Sequence, residues 1–530
     1  MFKKAFYYFC IISSITLSLS LLAEEASSAG SPEKENPKKN NLKEERSETN
    51  HIVKINGVDV SYKATIGTQL LKDEEGTVKG NMSYIAYTKD GEDSSSRPIT
   101  FCFNGGPGSS SVWLHMGTFG PKRVALNEEG YALLPYHFVD NEYSILDVTD
   151  LVFIDPISTG YSKTAPGVDV KQFHGVDEDI RTVAEFIRLF ATRNGRWDSP
   201  KFLAGESYGT TRAAGLAGYL HDEYCMYFNG ILLVSSILNF QANDFNEGND
   251  LPYMLFLPTY TATAWYHKRL SSELQAKELP MLLDEVKEFA NREYALALIQ
   301  GDILAPEEKE KMAQKLSYYT GLSANYYEDN NLRVNIYRFS RELLRKQKRT
   351  IGRFDGRFVG INNDVTGDSS TFDPSLEAVC GAFTATFNQY VRQDLKWEID
   401  EQYKILANVS PWDWTYNKAV NQYLYVADTL RQVMTKNPAL RVFVASGYYD
   451  LATPFAATEY TFQHLGLDPT IRSHVSMAYY DAGHMMYIYR PAMVKFKQDV
   501  TKFIKNTLSK DEQKNSVMRI QTRGINASLD

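Results

Sequence analysis

A serine framed by glycines, Gly205-Glu206-Ser207-Tyr208-Gly209, is the most chemically suggestive stretch of this chain. An apolar run through Ala204 precedes it, and a helix-like run from Tyr208 to Asp222 follows. A Gly-x-Ser-x-Gly on a strand-to-helix turn is a nucleophile elbow: the turn is too tight for side chains near the serine, and the helix start aims backbone N–H groups at whatever the serine attacks. Such a serine needs a base, and the base needs an orienting acid. Around an elbow of this kind the order along the chain is Ser, Asp or Glu, His.

Two downstream residues fit that order. A buried-strand run from Leu440 to Ala445 ends in a turn that carries Asp450 between Gly447 and Pro454. A second run, His474 to Tyr480, ends in Asp481-Ala482-Gly483-His484. Of nine histidines, His484 stands out because it follows a glycine turn after a strand and precedes a final helix-like run. Upstream, Phe101 to Phe103 runs into Asn104-Gly105-Gly106-Pro107-Gly108-Ser109-Ser110-Ser111. Paired glycines after a strand let backbone N–H groups come close to a substrate oxyanion. The candidate machinery is therefore Ser207 as nucleophile, His484 as base, Asp450 as orienting acid, and the N–H groups of Gly106 and Tyr208 as oxyanion donors.

The elements that must position these residues follow from periodicity. Ile52 to Tyr62 and Lys79 to Tyr87 alternate as antiparallel strands do. Arg97 to Phe103, Leu151 to Ile154 and Gly230 to Val234 are buried-strand runs, and Asp177 to Arg193 has a helical period. Such alternation predicts an α/β fold with a mainly parallel sheet and helices on both faces, the α/β-hydrolase arrangement. From 241 to 420 the texture becomes charged, Tyr-rich and helical, which predicts an inserted, mainly helical cap. The expected organisation is a signal segment over 1–29, a disordered linker over 30–50, a first core part over 51–240, the cap over 241–420, a second core part over 421–508 and a polar tail over 509–530.

Taken together, the Asn104 to Ser110 loop, the Ser207 elbow, the Gly447 to Asp450 turn and Ala482-Gly483-His484-Met485 resemble the serine carboxypeptidase family. Asp155-Pro156 through Gly160-Tyr161-Ser162 resembles a further loop of that family. The insert, at Leu251 to Tyr260 and at Gly352 to Phe358, is similar to that of bacterial members. The resemblance implies hydrolysis of C-terminal residues from peptides through an acyl-enzyme, with Asn104, Gly105 and Glu206 binding the substrate's terminal carboxylate. Two departures stand out. Ser109 replaces a disulfide-bonded cysteine, and Thr118 replaces a glutamate that assists carboxylate recognition. The second leaves an esterase or acyltransferase on the same fold as an alternative; a non-catalytic binding protein is a separate rival, against which the intact triad argues.

A net charge of −8 shows no nucleic-acid footprint and no polybasic membrane patch. No metal or cofactor motif is present. His221 and Cys225 lack a metalloenzyme pattern and read as a helix end. Lys3 and Lys4 followed by an apolar run to Leu22 read as an export signal, the alternative being a retained anchor. Once a signal is removed, no stable membrane association is expected, and the location is periplasmic or extracellular in a bacterium. Of four cysteines, Cys10 would leave with the signal. Cys102 reads as a buried thiol, and a Cys225–Cys380 bond stays open. Trp412, Trp414 and Tyr416 read as packing at the cap hinge rather than as a pocket wall.

Overall fold

Strand β1 (Arg46–Ile55) and strand β2 (Val58–Lys72) form an antiparallel hairpin joined by Asn56-Gly57. Both turn residues have positive φ, 50° and 81°, the turn whose twist matches that of its strands. The computed structural model describes residues 42–509 apart from 369, 419 and 420, so the expected signal segment, most of the linker and nearly all of the tail lie outside the described residues. Two expectations are corrected here. Ile52–Tyr62 is not one strand, because Asn56-Gly57 reverses the chain within it. Residues 46–50, expected to be disordered, pair in register with β2. β1 lies at the sheet edge and half its side chains face solvent, so its polar composition reads as linker.

Strand β3 (Val78–Lys89) continues the antiparallel part. The remaining strands of the main path are β4 (Ile99–Phe103), β5 (Asp150–Ile154), β6 (Lys201–Glu206), β7 (Gly230–Val234), β8 (Arg441–Gly447) and β9 (Val475–Tyr480). Their spatial order is β1-β2-β3-β5-β4-β6-β7-β8-β9, with a two-residue strand, Lys163–Thr164, beside β3. Pairing is antiparallel as far as β3–β5 and parallel from β5 to β9.

The principal helices are α1 (Val176–Arg193), α2 (Tyr208–Tyr224), α3 (Leu251–Tyr266), α4 (Leu279–Phe289), α5 (Pro306–Thr320), α6 (Pro374–Gln393), α7 (Ala427–Lys436), α8 (Phe455–Gln463) and α9 (Arg490–Leu508). The central strands read as continuous apolar runs because both their faces are covered. Phe101, Val152, Leu203, Leu233 and Val444 pack with α1, α2 and α7. Cys102, Phe153, Ala204, Leu232 and Phe443 pack with α6 and α9 on the other side. This is the α/β-hydrolase arrangement, a mainly parallel sheet with helices on both faces.

The inserted region has a core of its own, in which Tyr260, Leu282, Val286, Leu316, Phe339 and Ile351 meet. Beyond it, α6 returns to the sheet and contributes Val379, Phe383, Phe387 and Tyr390 to the face that α9 covers. Cys102, Cys225 and Cys380 are all free thiols. The bond left open between Cys225 and Cys380 is not formed, because Cys225 ends α2 on one face and Cys380 lies in α6 on the other. Among the described residues no helix is long and apolar enough to cross a membrane.

Candidate active site

Strand β6 ends at Glu206 and α2 starts at Tyr208, which leaves Ser207 alone on the turn with φ 60° and ψ −132°. Left-handed backbone at a serine is strained and persists only where the surroundings impose it. Here Ser207 N–H donates to Val234 O at 2.9 Å. A Cβ on Gly205 would sit 2.1 Å from Gly209 O, so no other residue fits there. The loop after β4 packs equally closely: a Cβ on Gly105 would lie 2.5 Å from Tyr208 N. The Asn104–Gly106 loop thus lies directly on the start of α2, whose first N–H groups have no partner within the helix.

A buried network holds these two pieces together. Arg212 donates to Asp179 at 2.8 Å and to Asn104 O at 2.5 Å, while Tyr208 OH donates to Asp179 at 3.2 Å. The Asn104 side chain accepts from Leu114 N–H at 3.0 Å. Asp155, from the loop with family resemblance, accepts from Ser111 N–H and Oγ, both at 2.9 Å, from Ser83 Oγ at 3.0 Å and from Tyr403 OH at 3.1 Å. Burial raises its pKa and these donors oppose the rise.

His484 and Asp450 meet at the ends of β9 and β8. His484 Nδ1 lies 2.8 Å from Asp450 Oδ2. The other Asp450 oxygen accepts from the N–H groups of Ala452 at 2.8 Å and Thr453 at 3.0 Å, and Thr453 Oγ1 donates to Oδ2 at 2.8 Å. With every lone-pair direction of the carboxylate supported and Asp450 fully buried, Nδ1 is the donor and Nε2 is left as the acceptor. Burial pushes the His484 pKa down, but the charge and hydrogen bond of Asp450 and the charge of Glu206 outweigh it, so the pKa is raised.

The loop that carries His484 is gripped from the inserted region. His484 N–H donates to Phe354 O at 2.6 Å, Gly483 N–H to Asp355 Oδ2 at 3.0 Å, and Arg357 to Asp481 O at 2.8 Å. The same segment reaches the acid: Leu451 N–H donates to Arg353 O at 3.0 Å and Gly356 N–H to Tyr449 O at 2.9 Å. Arg357 and Asp355 are themselves a buried pair at 2.7 Å.

A cavity of about 360 Å³ is lined by Asn104, Gly105, Gly106, Glu206, Ser207, Tyr208 and His484, with Asp450 behind the imidazole. All eight residues singled out from the sequence therefore gather at one place. Glu206 is buried, and burial pushes its pKa up to about 7, against the opposing effects of His484, Tyr487 and Asn104. Tyr487 OH donates to Glu206 Oε2 at 2.7 Å. Thr118 is buried outside the cavity lining, and its carbonyl accepts from Asn141 at 2.6 Å. The aromatic cluster divides: Trp412 and Tyr416 pack on the core, as expected, whereas Trp414 lines the cavity. Sequence reasoning missed Thr453, Tyr487 and the Arg353–Arg357 segment as site residues. Only the last carried a signal, its Gly- and charge-rich motif.

The serine carboxypeptidase family model matches residues 73–502. Two proteins of Arabidopsis thaliana, serine carboxypeptidase-like 33 and 36, are 29% and 25% identical to this chain over 137 and 171 residues, 25% and 31% of its length. The matches span 27% and 33% of those curated relatives. Among solved structures, a proline iminopeptidase of Mycobacterium smegmatis is 13% identical with a TM-score of 0.36, over 83% of this chain and 98% of that one. A carboxyl esterase of Bacillus coagulans is 12% identical with a TM-score of 0.34, over 84% of this chain and 99% of that one.

Proposed function

The chain belongs to the serine carboxypeptidase family, and from that membership we propose that it removes C-terminal residues from peptides through an acyl-enzyme. Ser207 Oγ attacks the scissile carbonyl while His484 Nε2 takes its proton. Asp450 holds the tautomer and stabilises the imidazolium. The N–H groups of Gly106 and Tyr208 receive the oxyanion, each donor worth roughly 3–4 kcal/mol of transition-state stabilisation. As the C–N bond breaks, His484 passes its proton to the leaving amine. Water, deprotonated by His484, then attacks the acyl-enzyme, and the serine recovers its proton as the new carboxylate departs.

The observation that supports exopeptidase action is Glu206. A carboxyl held protonatable up to about pH 7 beside the nucleophile can donate a hydrogen bond to a substrate carboxylate, with Asn104 and Gly105 on the same wall. An ionised Glu206 would repel that carboxylate. N-blocked dipeptides with a free C-terminus, measured against their C-terminal amides and esters, test this. The expected result is hydrolysis that requires the free carboxylate for peptides. Thr118 favours the second reading, an esterase or acyltransferase, which predicts equal or better turnover of esters with no need for a free carboxylate. Export is also part of the proposal: intact-mass analysis of the secreted protein should lack residues 1–29, and retention of Met1 would indicate the anchor instead.

A further inference from the structure

Arg353 is the one arginine or lysine among the described residues that line the Ser207–His484 cavity. It is half-buried. Its guanidinium lies over the ring of Phe354, 4.5 Å from the centroid, and that ring lies against the imidazole of His484 with centroids 5.0 Å apart. The backbone of Arg353 is fully used, its N–H donating to Asp373 and its carbonyl accepting from Leu451. Its guanidinium is not: among the described residues no carboxylate pairs with it and no acceptor engages it.

A partly desolvated cation with no counter-charge is unfavourable unless an anion meets it. A planar fork already laid on an aromatic ring loses little freedom when it receives a carboxylate in two-point fashion. The position decides which part of a substrate that is. The leaving amine must reach His484 to take its proton, so the residue being released lies on the imidazole side of the cavity, where Phe354 and Arg353 stand. The acyl-side residue instead meets the aromatic group at the elbow helix, where Trp414 contacts Tyr208 at 6.0 Å and Phe240 at 5.2 Å. The terminal carboxylate of the leaving residue is taken by Glu206 and Asn104 in the reading above. Its side chain is what remains for Arg353.

We propose that Arg353 receives the side-chain carboxylate of the leaving residue, so that the enzyme removes C-terminal glutamate or aspartate in preference to their amides. This inference rests on the carboxypeptidase reading. The test uses the mature enzyme and three N-blocked dipeptides, phenylalanyl-glutamate, phenylalanyl-glutamine and phenylalanyl-leucine. Wild type should favour glutamate over glutamine about tenfold in kcat/KM. Arg353→Met, which keeps the apolar stem, should bring that ratio near one, and Arg353→Lys should retain most of it. Labelling by a fluorophosphonate probe confirms that each variant is folded and has its nucleophile. A wild-type ratio near one, or an Arg353→Met ratio equal to wild type, would overturn the proposal while leaving a carboxypeptidase in place. If none of the three peptides is cleaved although the enzyme labels and cleaves esters, the carboxypeptidase reading falls and this one falls with it.

Discussion

The nucleophile side and the histidine side of the cavity are held by different means. On the nucleophile side, the elbow and the Asn104–Gly106 loop are pressed together by backbone contacts between neighbouring strand ends, with Gly205 and Gly105 making the approach possible. On the histidine side, three separate loops converge, and bonds from Arg353–Arg357 in the inserted region add to those the core supplies, such as Ser235 Oγ to His484 O and Tyr449 N–H to Ala482 O. The first arrangement is written into short contiguous stretches. The second depends on a segment of the insert that belongs to none of the paired strand ends, as the Asp355–Gly483 and Arg357–Asp481 bonds show. A change in the insert can therefore reach the acid–base pair without touching the nucleophile.

The largest expected effect lies on the nucleophile side. Ser207→Ala should lower kcat by about a millionfold, far below about a thousandth of wild-type turnover, and leave thermal unfolding unchanged, because the turn depends on its glycines and not on the hydroxyl. More residual activity than that in a steady-state assay would show that Ser207 is not the nucleophile. Asp450→Asn comes next on the histidine side, with a loss of about ten-thousandfold in kcat through the wrong tautomer.

Asp355→Asn sharpens the comparison directly. It keeps the shape of the clamp but removes the charge that meets Arg357 and weakens the acceptor for Gly483 N–H. Displacement of the imidazole by a fraction of an ångström should lower kcat about tenfold to a hundredfold with KM nearly constant. If kcat is unchanged, the insert does not position the histidine.

The smallest effects concern pH. Burial raises the Glu206 pKa to about 7, so the protonated form dominates below that pH and the ionised form above it. KM for free-carboxylate peptides should climb as pH rises through about 7, and KM for esters should stay flat. Glu206→Gln should flatten the peptide profile, since an amide donates at any pH. Tyr487 donates to Glu206 and favours its ionised form. Tyr487→Phe should therefore move the rise in KM to higher pH, by about one pH unit. A shift to lower pH would contradict the assigned direction of that hydrogen bond.

Much of this molecule was legible before folding. The central strands, α1, the elbow and the order Ser207, Asp450, His484 follow from apolar periodicity and glycine placement, because those signals are local and strong. The hairpin at Asn56-Gly57 was equally local and was missed because alternating apolar residues flank the turn on both sides, and residues 46–50 read as linker because the polar, exposed face of an edge strand resembles one. Which core α6 joins was not legible at all, since an amphipathic helix shows that it has an apolar face but not what covers it.

The chain by itself determined the candidates for the chemistry, Ser207, His484 and Asp450, and a backbone able to turn tightly enough to present them. Such properties belong to single residues and to neighbours a few positions apart. Only the tertiary structure decided that Tyr487 and not Thr118 faces Glu206, that Thr453 braces Asp450, and that Arg353, beside His484, has no carboxylate partner among the described residues. Hydrogen bonds and charge interactions act over a few ångströms in space. Where they join residues a hundred positions apart, no local pattern records them.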